Sequence, residues 1–217
     1  NIAFSTNKRR FADGVIEWNN FSSNSSSEQG GALLLSPSAT KSVTINDNTF
    51  YKNNTAKWGG AISTYRPVDL VRNLFRENML YDVNPNLPHK GAAVYLDGEG
   101  NMSLLKNCVF DQNYYEPVEE VPSVYFDNLP LAFPPVSISN SSFFNFSDTH
   151  NSVYNASDND TLRIENSIFT IRDNMKENSE GVLYFNETVK SRYCDLIYSL
   201  VHDTVNHNYD EYVYFNS

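Results

Sequence analysis

The residues able to do chemistry are few and scattered. The four histidines, His89, His150, His202 and His207, share no repeated register and show no metal-ligand spacing. In Asp97-Gly98-Glu99-Gly100-Asn101, oxygen-bearing side chains alternate as they do in a Ca²⁺ loop, but Cys108 falls where such a loop needs its bidentate acid. That stretch reads as a glycine-rich turn, and Asp158-Asn159-Asp160 likewise. The polygalacturonase motifs Asn-Thr-Asp, Asp-Asp and Gly-His-Gly are absent. Glycoside hydrolysis needs a pair of carboxylates at controlled separation, and no motif announces one. The expectation is therefore no catalytic residue, no bound metal and no cofactor. Nine Asn-x-Ser/Thr sequons are present, at Asn20, Asn24, Asn53, Asn101, Asn140, Asn145, Asn155, Asn159 and Asn186.

The elements that position these residues come from a repeat. Val94-Tyr95-Leu96-Asp97 returns as Val124-Tyr125-Phe126-Asp127, Val153-Tyr154-Asn155, Leu183-Tyr184-Phe185-Asn186 and Val213-Tyr214-Phe215-Asn216. Leu33-Leu34-Leu35 and Ile62-Ser63-Thr64 hold the same register upstream, so the period is about thirty residues. A second motif, Phe-x-x-Asn, keeps the same time at Phe21, Phe50, Phe75 and Phe110, with degenerate copies at Asn140 to Phe143 and Asn166 to Phe169. Short β-type runs precede it: Val43-Thr44-Ile45, Leu70-Val71, Leu104-Leu105, Val136-Ser137-Ile138 and Leu162-Arg163-Ile164. Each unit thus holds two or three short strands, with no run of helical period. Such units stack as an all-β, right-handed, single-stranded parallel β-helix of about seven coils.

Stacking explains the residue types. Coils lie about 4.8 Å apart, so like residues stand above one another in ladders. The aliphatic member of each copy and the residue two places on should point inward. Tyr95, Tyr125, Tyr154, Tyr184 and Tyr214 would form an outward file, serving either as a contact surface or simply as strand-favouring aromatic area. Asn48, Asn73, Asn107, Asn140 and Asn166 suit a turn ladder whose amides bond to the coils on either side. Gly30-Gly31, Gly59-Gly60 and Gly91 mark a bend needing permissive backbone or close coil approach. By this register Cys108 and Cys194 lie about three coils apart, roughly 14 Å at the ladder spacing and too far to pair. Asn24, Asn53 and Asn140 fall at ladder or motif positions, whereas Asn101, Asn159 and Asn186 lie at turns and are the expected glycan carriers.

The pairing of Gly-Gly-Ala-Leu/Ile with Phe-x-x-Asn resembles the repeat signature of the polymorphic outer membrane protein family. It is clean at 21-33 and 50-62, becomes Gly-Ala at 91-92, and thins out after residue 110. The resemblance implies an exposed adhesive or structural β-helix, with no catalytic residues to carry over.

Residues 1-20 read as an irregular or truncated first coil, with Phe4-Ser5-Thr6-Asn7 as an early motif copy, and 21-217 as the β-helix proper. Insertions are expected at 79-90, at 114-122 with Glu116, Glu119 and Glu120, and at 128-135 with Leu129, Leu131 and Phe133. The ends look cut through the array, as in a fragment of a longer chain. Asparagine numbers 29, which fits ladders and equally fits an AT-rich genome. With 26 acidic against 16 basic residues, and no basic stripe beyond Lys8-Arg9-Arg10, nucleic acid is not an expected partner. No apolar run is long enough for a membrane-spanning helix. The function expected is an extracellular or cell-surface structural or adhesive rod. Its partners would be flanking coils, other copies, surface proteins or glycans. Two alternatives stand beside it: a carbohydrate-binding or carbohydrate-cleaving β-helix, and a filament subunit that stacks end to end. Carboxylates and aromatics gathered on one sheet would favour the carbohydrate reading.

Overall fold

The structure, a computed structural model, describes residues 2–4, 14–36, 43–81, 89–97, 104–116, 121–127, 136–145, 153–156, 162–171, 183–185, 194–197, 200–203 and 213–215. All regular structure among them is β. After β1 (Ile2–Phe4), four successive turns carry four strands each. They are β2 (Gly14–Glu17), β3 (Asn20–Ser22), β4 (Ser25–Ser26) and β5 (Leu33–Leu35); β6 (Val43–Asn46), β7 (Thr49–Tyr51), β8 (Asn54–Thr55) and β9 (Ile62–Thr64); β10 (Val68–Val71), β11 (Leu74–Arg76), β12 (Met79–Tyr81) and β13 (Val94–Asp97); β14 (Leu104–Lys106), β15 (Val109–Asp111), β16 (Tyr114–Glu116) and β17 (Val124–Asp127). Farther on come β18 (Val136–Ser139), β19 (Ser142–Asn145), β20 (Val153–Asn155), β21 (Leu162–Glu165), β22 (Ile168–Ile171), β23 (Leu183–Phe185), β24 (Cys194–Ile197), β25 (Leu200–Asp203) and β26 (Val213–Phe215).

Equivalent strands pair in parallel from turn to turn, which makes a β-solenoid. The first sheet runs β1-β5-β9-β13-β17-β20-β23-β26, the second from β2 to β24, and the third from β3 to β25; the fourth is β4-β8-β12-β16. Burial alternates as a half-buried strand requires: Val43 and Ile45 face inward while Thr44 and Asn46 do not. Where the third sheet faces the interior, Phe21, Phe50, Phe75, Phe110, Phe143 and Phe169 form one stack. Their ring centroids are 4.6–4.9 Å apart, and their planes lie within 10° of one another. Burying each ring contributes roughly 1.5–3 kcal/mol, so this file is the spine of the core.

Two-residue turns join the second sheet to the third and the third to the fourth. The first residue of each has positive φ: Trp18, Asp47, Arg72, Asn107, Asn140 and Asn166 at the first turn, and Ser23, Lys52, Glu77 and Gln112 at the second. The left-handed conformation costs a non-glycine residue roughly 1–2 kcal/mol. The ladder position that follows each such residue offsets it. At the second turn, Asn24, Asn53 and Asn78 each send their backbone and side-chain N–H groups to the Oδ1 of the next asparagine, ending at Asn113, over 2.9–3.1 Å. The Nδ2 groups of Asn53, Asn78 and Asn113 also donate to Phe21, Phe50 and Phe75 carbonyls of the preceding turn. The paired glycines divide the work at the bend. Gly59 has φ +66°, and a Cβ on Gly60 would lie 2.0 Å from the Ala92 carbonyl oxygen.

Several expectations change. The irregular first coil is regular from Gly14 onward: Gly14–Glu17 pairs with Val43–Asn46, and Asn20–Ser22 with Thr49–Tyr51. Phe4 lies opposite Leu35 in the first sheet, outside the phenylalanine file. The insertions expected at 79-90 and 114-122 begin with strands of the fourth sheet, Met79–Tyr81 and Tyr114–Glu116. Residues 82–88, 117–120 and 128–135, with Leu129, Leu131 and Phe133, lie outside the described residues.

Candidate functional site

The asparagine ladder at the first turn is built one residue away from where the sequence suggested for most of its length. Asn48 and Asn73 are in it: Asn19 and Asn48 donate their backbone N–H groups to Asn48 and Asn73 Oδ1 at 2.9 and 3.0 Å. The file then continues through Cys108, Ser141 and Ser167. Cys108 N–H donates to Ser141 Oγ and Ser141 N–H to Ser167 Oγ, at 3.2 and 3.3 Å. Asn107, Asn140 and Asn166 instead supply the left-handed residue just before the file. Cys108 is a free, buried thiol, and burial pushes its pKa up to about 11. It donates to the Leu70 carbonyl at 3.3 Å. The expected glycan carriers Asn101, Asn159 and Asn186 fall outside the described residues, as do Asp158 and residues 98–100 of the glycine-rich turn. Among the described residues, no three His, Cys, Asp or Glu side chains gather where they could hold a metal ion.

The tyrosine file holds its register: Tyr95 is paired with Tyr125, Tyr125 with Tyr154, Tyr154 with Tyr184, and Tyr184 with Tyr214. It is not uniformly open, however, since Tyr95 is only 2% exposed. What covers Tyr95 is the densest collection of chemistry in the described chain. Trp58 stacks on it at 5.3 Å, Tyr65 meets it edge-on at 6.0 Å, and Tyr125 lies tilted beside it at 6.0 Å. The Lys90 ammonium sits 5.0, 5.7 and 5.9 Å from the ring centroids of Tyr125, Tyr95 and Trp58. Lys90 is also ion-paired with Asp127. The Tyr95 hydroxyl reaches Asp127 and Asp97 Oδ2 at 3.1 and 3.3 Å, so both carboxylates lie within hydrogen-bond reach of one atom. Burial, then the Asp127 and Asp97 charges, hold the Tyr95 phenol far above its ordinary range. Tyr65 donates to Gln29 Oε1 at 2.7 Å, and burial pushes its pKa up to about 12.

The solenoid places this group as a grid on the outer face of the first sheet. One column is Gln29, Trp58 and Lys90, joined turn to turn by parallel bridges. A second is Ser63, Tyr95 and Tyr125, and a third is Asp97 and Asp127, with Tyr65 following the Thr64 that pairs with Leu96. The tyrosine column is legible in the sequence, and the other two also leave a mark there. The first column is the residue preceding each Gly30, Gly59 and Gly91, and the third closes the quartets Val94 to Asp97 and Val124 to Asp127. The grid offers aromatic surface, two carboxylate acceptors, an ammonium donor and an amide. No protein-family model, no curated protein and no solved structure matches this chain.

Proposed function

We propose that this chain is an extracellular structural or adhesive rod, a right-handed β-solenoid of about seven coils whose first-sheet grid is its contact face. The observation that carries the reading is the constant register of the phenylalanine file from Phe21 to Phe169 and of the turn ladders beside it. Nearly every inward position is spent on holding coil to coil, and the mixed aromatic and charged group stands on the outside. Interior ladders give stiffness, while half-buried aromatic and charged side chains on an outer face give a place to be gripped.

The test is to display the chain on a cell surface and measure attachment to a panel of cells. Attachment that a Trp58→Ala/Tyr125→Ala variant loses, while its far-UV circular dichroism is unchanged, supports the reading. A folded chain that mediates no attachment, or attachment indifferent to the two changes, rejects it. Secretion from a eukaryotic host, followed by a mass shift on enzymatic glycan removal at Asn101, Asn159 or Asn186, tests the extracellular part separately.

A further inference from the structure

We propose that the ligand of this face is a neutral oligosaccharide lying along the solenoid axis, packed against the half-buried Trp58 and Tyr125 and hydrogen-bonded by the polar groups between them. The inference rests on the contact-face reading and gives it a ligand class.

The argument starts from spacing. Trp58 and Tyr125 belong to strand positions two turns apart, roughly 10 Å at the ladder spacing, and both are half-buried. The turn between them supplies Lys90, Tyr95 and Asp97, and Asp127 stands in the next. Tyr95 is too buried to be touched by a ligand and lies between the outer two rings. Two half-buried aromatic side chains with donors and acceptors between them suit a molecule with apolar patches at intervals and hydroxyl groups at its edges. A chain of pyranose rings is that molecule: its C–H surfaces pack against aromatic side chains, while each hydroxyl both donates and accepts. Carboxylates accept only and ammonium donates only, so Asp97, Asp127 and Lys90 can each serve a hydroxyl through groups they already hold in place. The ligand must be long enough to span both rings.

Charge narrows the class. The face carries two carboxylates against one ammonium, and the chain as a whole has a net charge of −10. An anionic polysaccharide would meet like charge at close range and across the whole surface, so uronate or sulfated chains are disfavoured.

The experiment is calorimetric titration of the wild-type chain with hexamers of β-1,4-linked glucose, β-1,3-linked glucose, β-1,4-linked mannose and β-1,4-linked N-acetylglucosamine. Oligogalacturonate serves as the anionic control. Binding of at least one neutral hexamer is expected, with Trp58→Ala and Tyr125→Ala each weakening it at least tenfold. Trp18→Ala, far from this face, should leave it unchanged. Trp58→Phe, which keeps a ring, should retain most of the affinity and guards against a folding defect in the alanine variant. Failure of every neutral hexamer to bind at millimolar concentration overturns the proposal, as does tighter binding of oligogalacturonate or equal binding by a folded Trp58→Ala. The contact-face reading is judged separately. Attachment that depends on Trp58 and Tyr125 yet survives glycosidase treatment of the target cells would keep the face and discard the sugar.

Discussion

Cys108 occupies a place that asparagine holds in the turns before it, and the exchange is instructive. Asn73 fills the position with an amide that donates to the Ile45 carbonyl at 2.7 Å, and Cys108 fills it with a thiol donating to Leu70. Both satisfy a buried carbonyl of the preceding turn, as does the hydroxyl of Ser141 for Ser139 within its own turn. In a Cys194→Ser background, the Cys108 thiol, buried and held in its neutral form, should not react with an aromatic disulfide reagent at pH 8 in the native protein. It should react at once in denaturant; absorbance of the released thiolate then reads Cys108 alone. Tyr65, Tyr95 and Cys108 share a sign. Each has a folded pKa above its ordinary value, so above about pH 9 the unfolded chain binds fewer protons than the folded one. The stability they contribute is complete below the ordinary pKa values of 9.0 and 10.0 and is lost as pH rises toward the folded ones. Urea midpoints should therefore fall steadily between pH 9 and pH 11, and Tyr95→Phe should flatten the decline. Asparagine also explains the misplaced ladder. It tolerates positive φ better than most non-glycine residues and also builds amide ladders, so Asn107, Asn140 and Asn166 look from sequence like ladder members while serving as turn residues.

At the scale of the element, the strands of the first two sheets were legible because their aliphatic members recur at the period of the coil. The fourth sheet was not. Ser25–Ser26 and Asn54–Thr55 are two residues long, polar and without alternation, and they are strands only because the turns above and below are. The phenylalanine file lay in plain view as Phe-x-x-Asn, but the motif reads as a turn signature until stacking shows that its first residue is the core. Removing one ring from the middle of the file should be costly. Phe75→Ala takes out a fully buried side chain stacked on both faces, and a loss of about 3–5 kcal/mol in urea unfolding is expected. Phe75→Leu should cost clearly less. Ion pairs between turns stand beside the files: Asp47 with Arg72, Lys52 with Glu77, and Arg76 with Asp111. They are exposed and add little energy, but each opposes a slip that would bring like charges together.

For the whole molecule, the period implied the solenoid, whereas the proposed contact face required the columns to be set side by side. Residues 29, 58 and 90 each precede a bend glycine, but that spacing does not put them beside the tyrosine file until the coils are stacked. Glycan addition reports on the same stacking. Asn53 lies in a sequon but is fully buried and bonded on every side, so the folded protein should carry no glycan there. Asn140, expected from sequence to be shielded by a ladder, is exposed at its turn and should accept one, as glycopeptide mapping of secreted material would show. The register that brings Asp97 beside Asp127 is what the proposed contact face depends on, and it can be tested by a bond. In an Asp97→Cys/Asp127→Cys variant the Cα atoms are neighbours across a parallel pair, about 4.8 Å apart and within disulfide range. Mild oxidation and non-reducing peptide mapping should find the two joined, while Asp97→Cys/Tyr125→Cys, offset along the strand, should remain unlinked. The reverse pattern would contradict the register and, with it, the face.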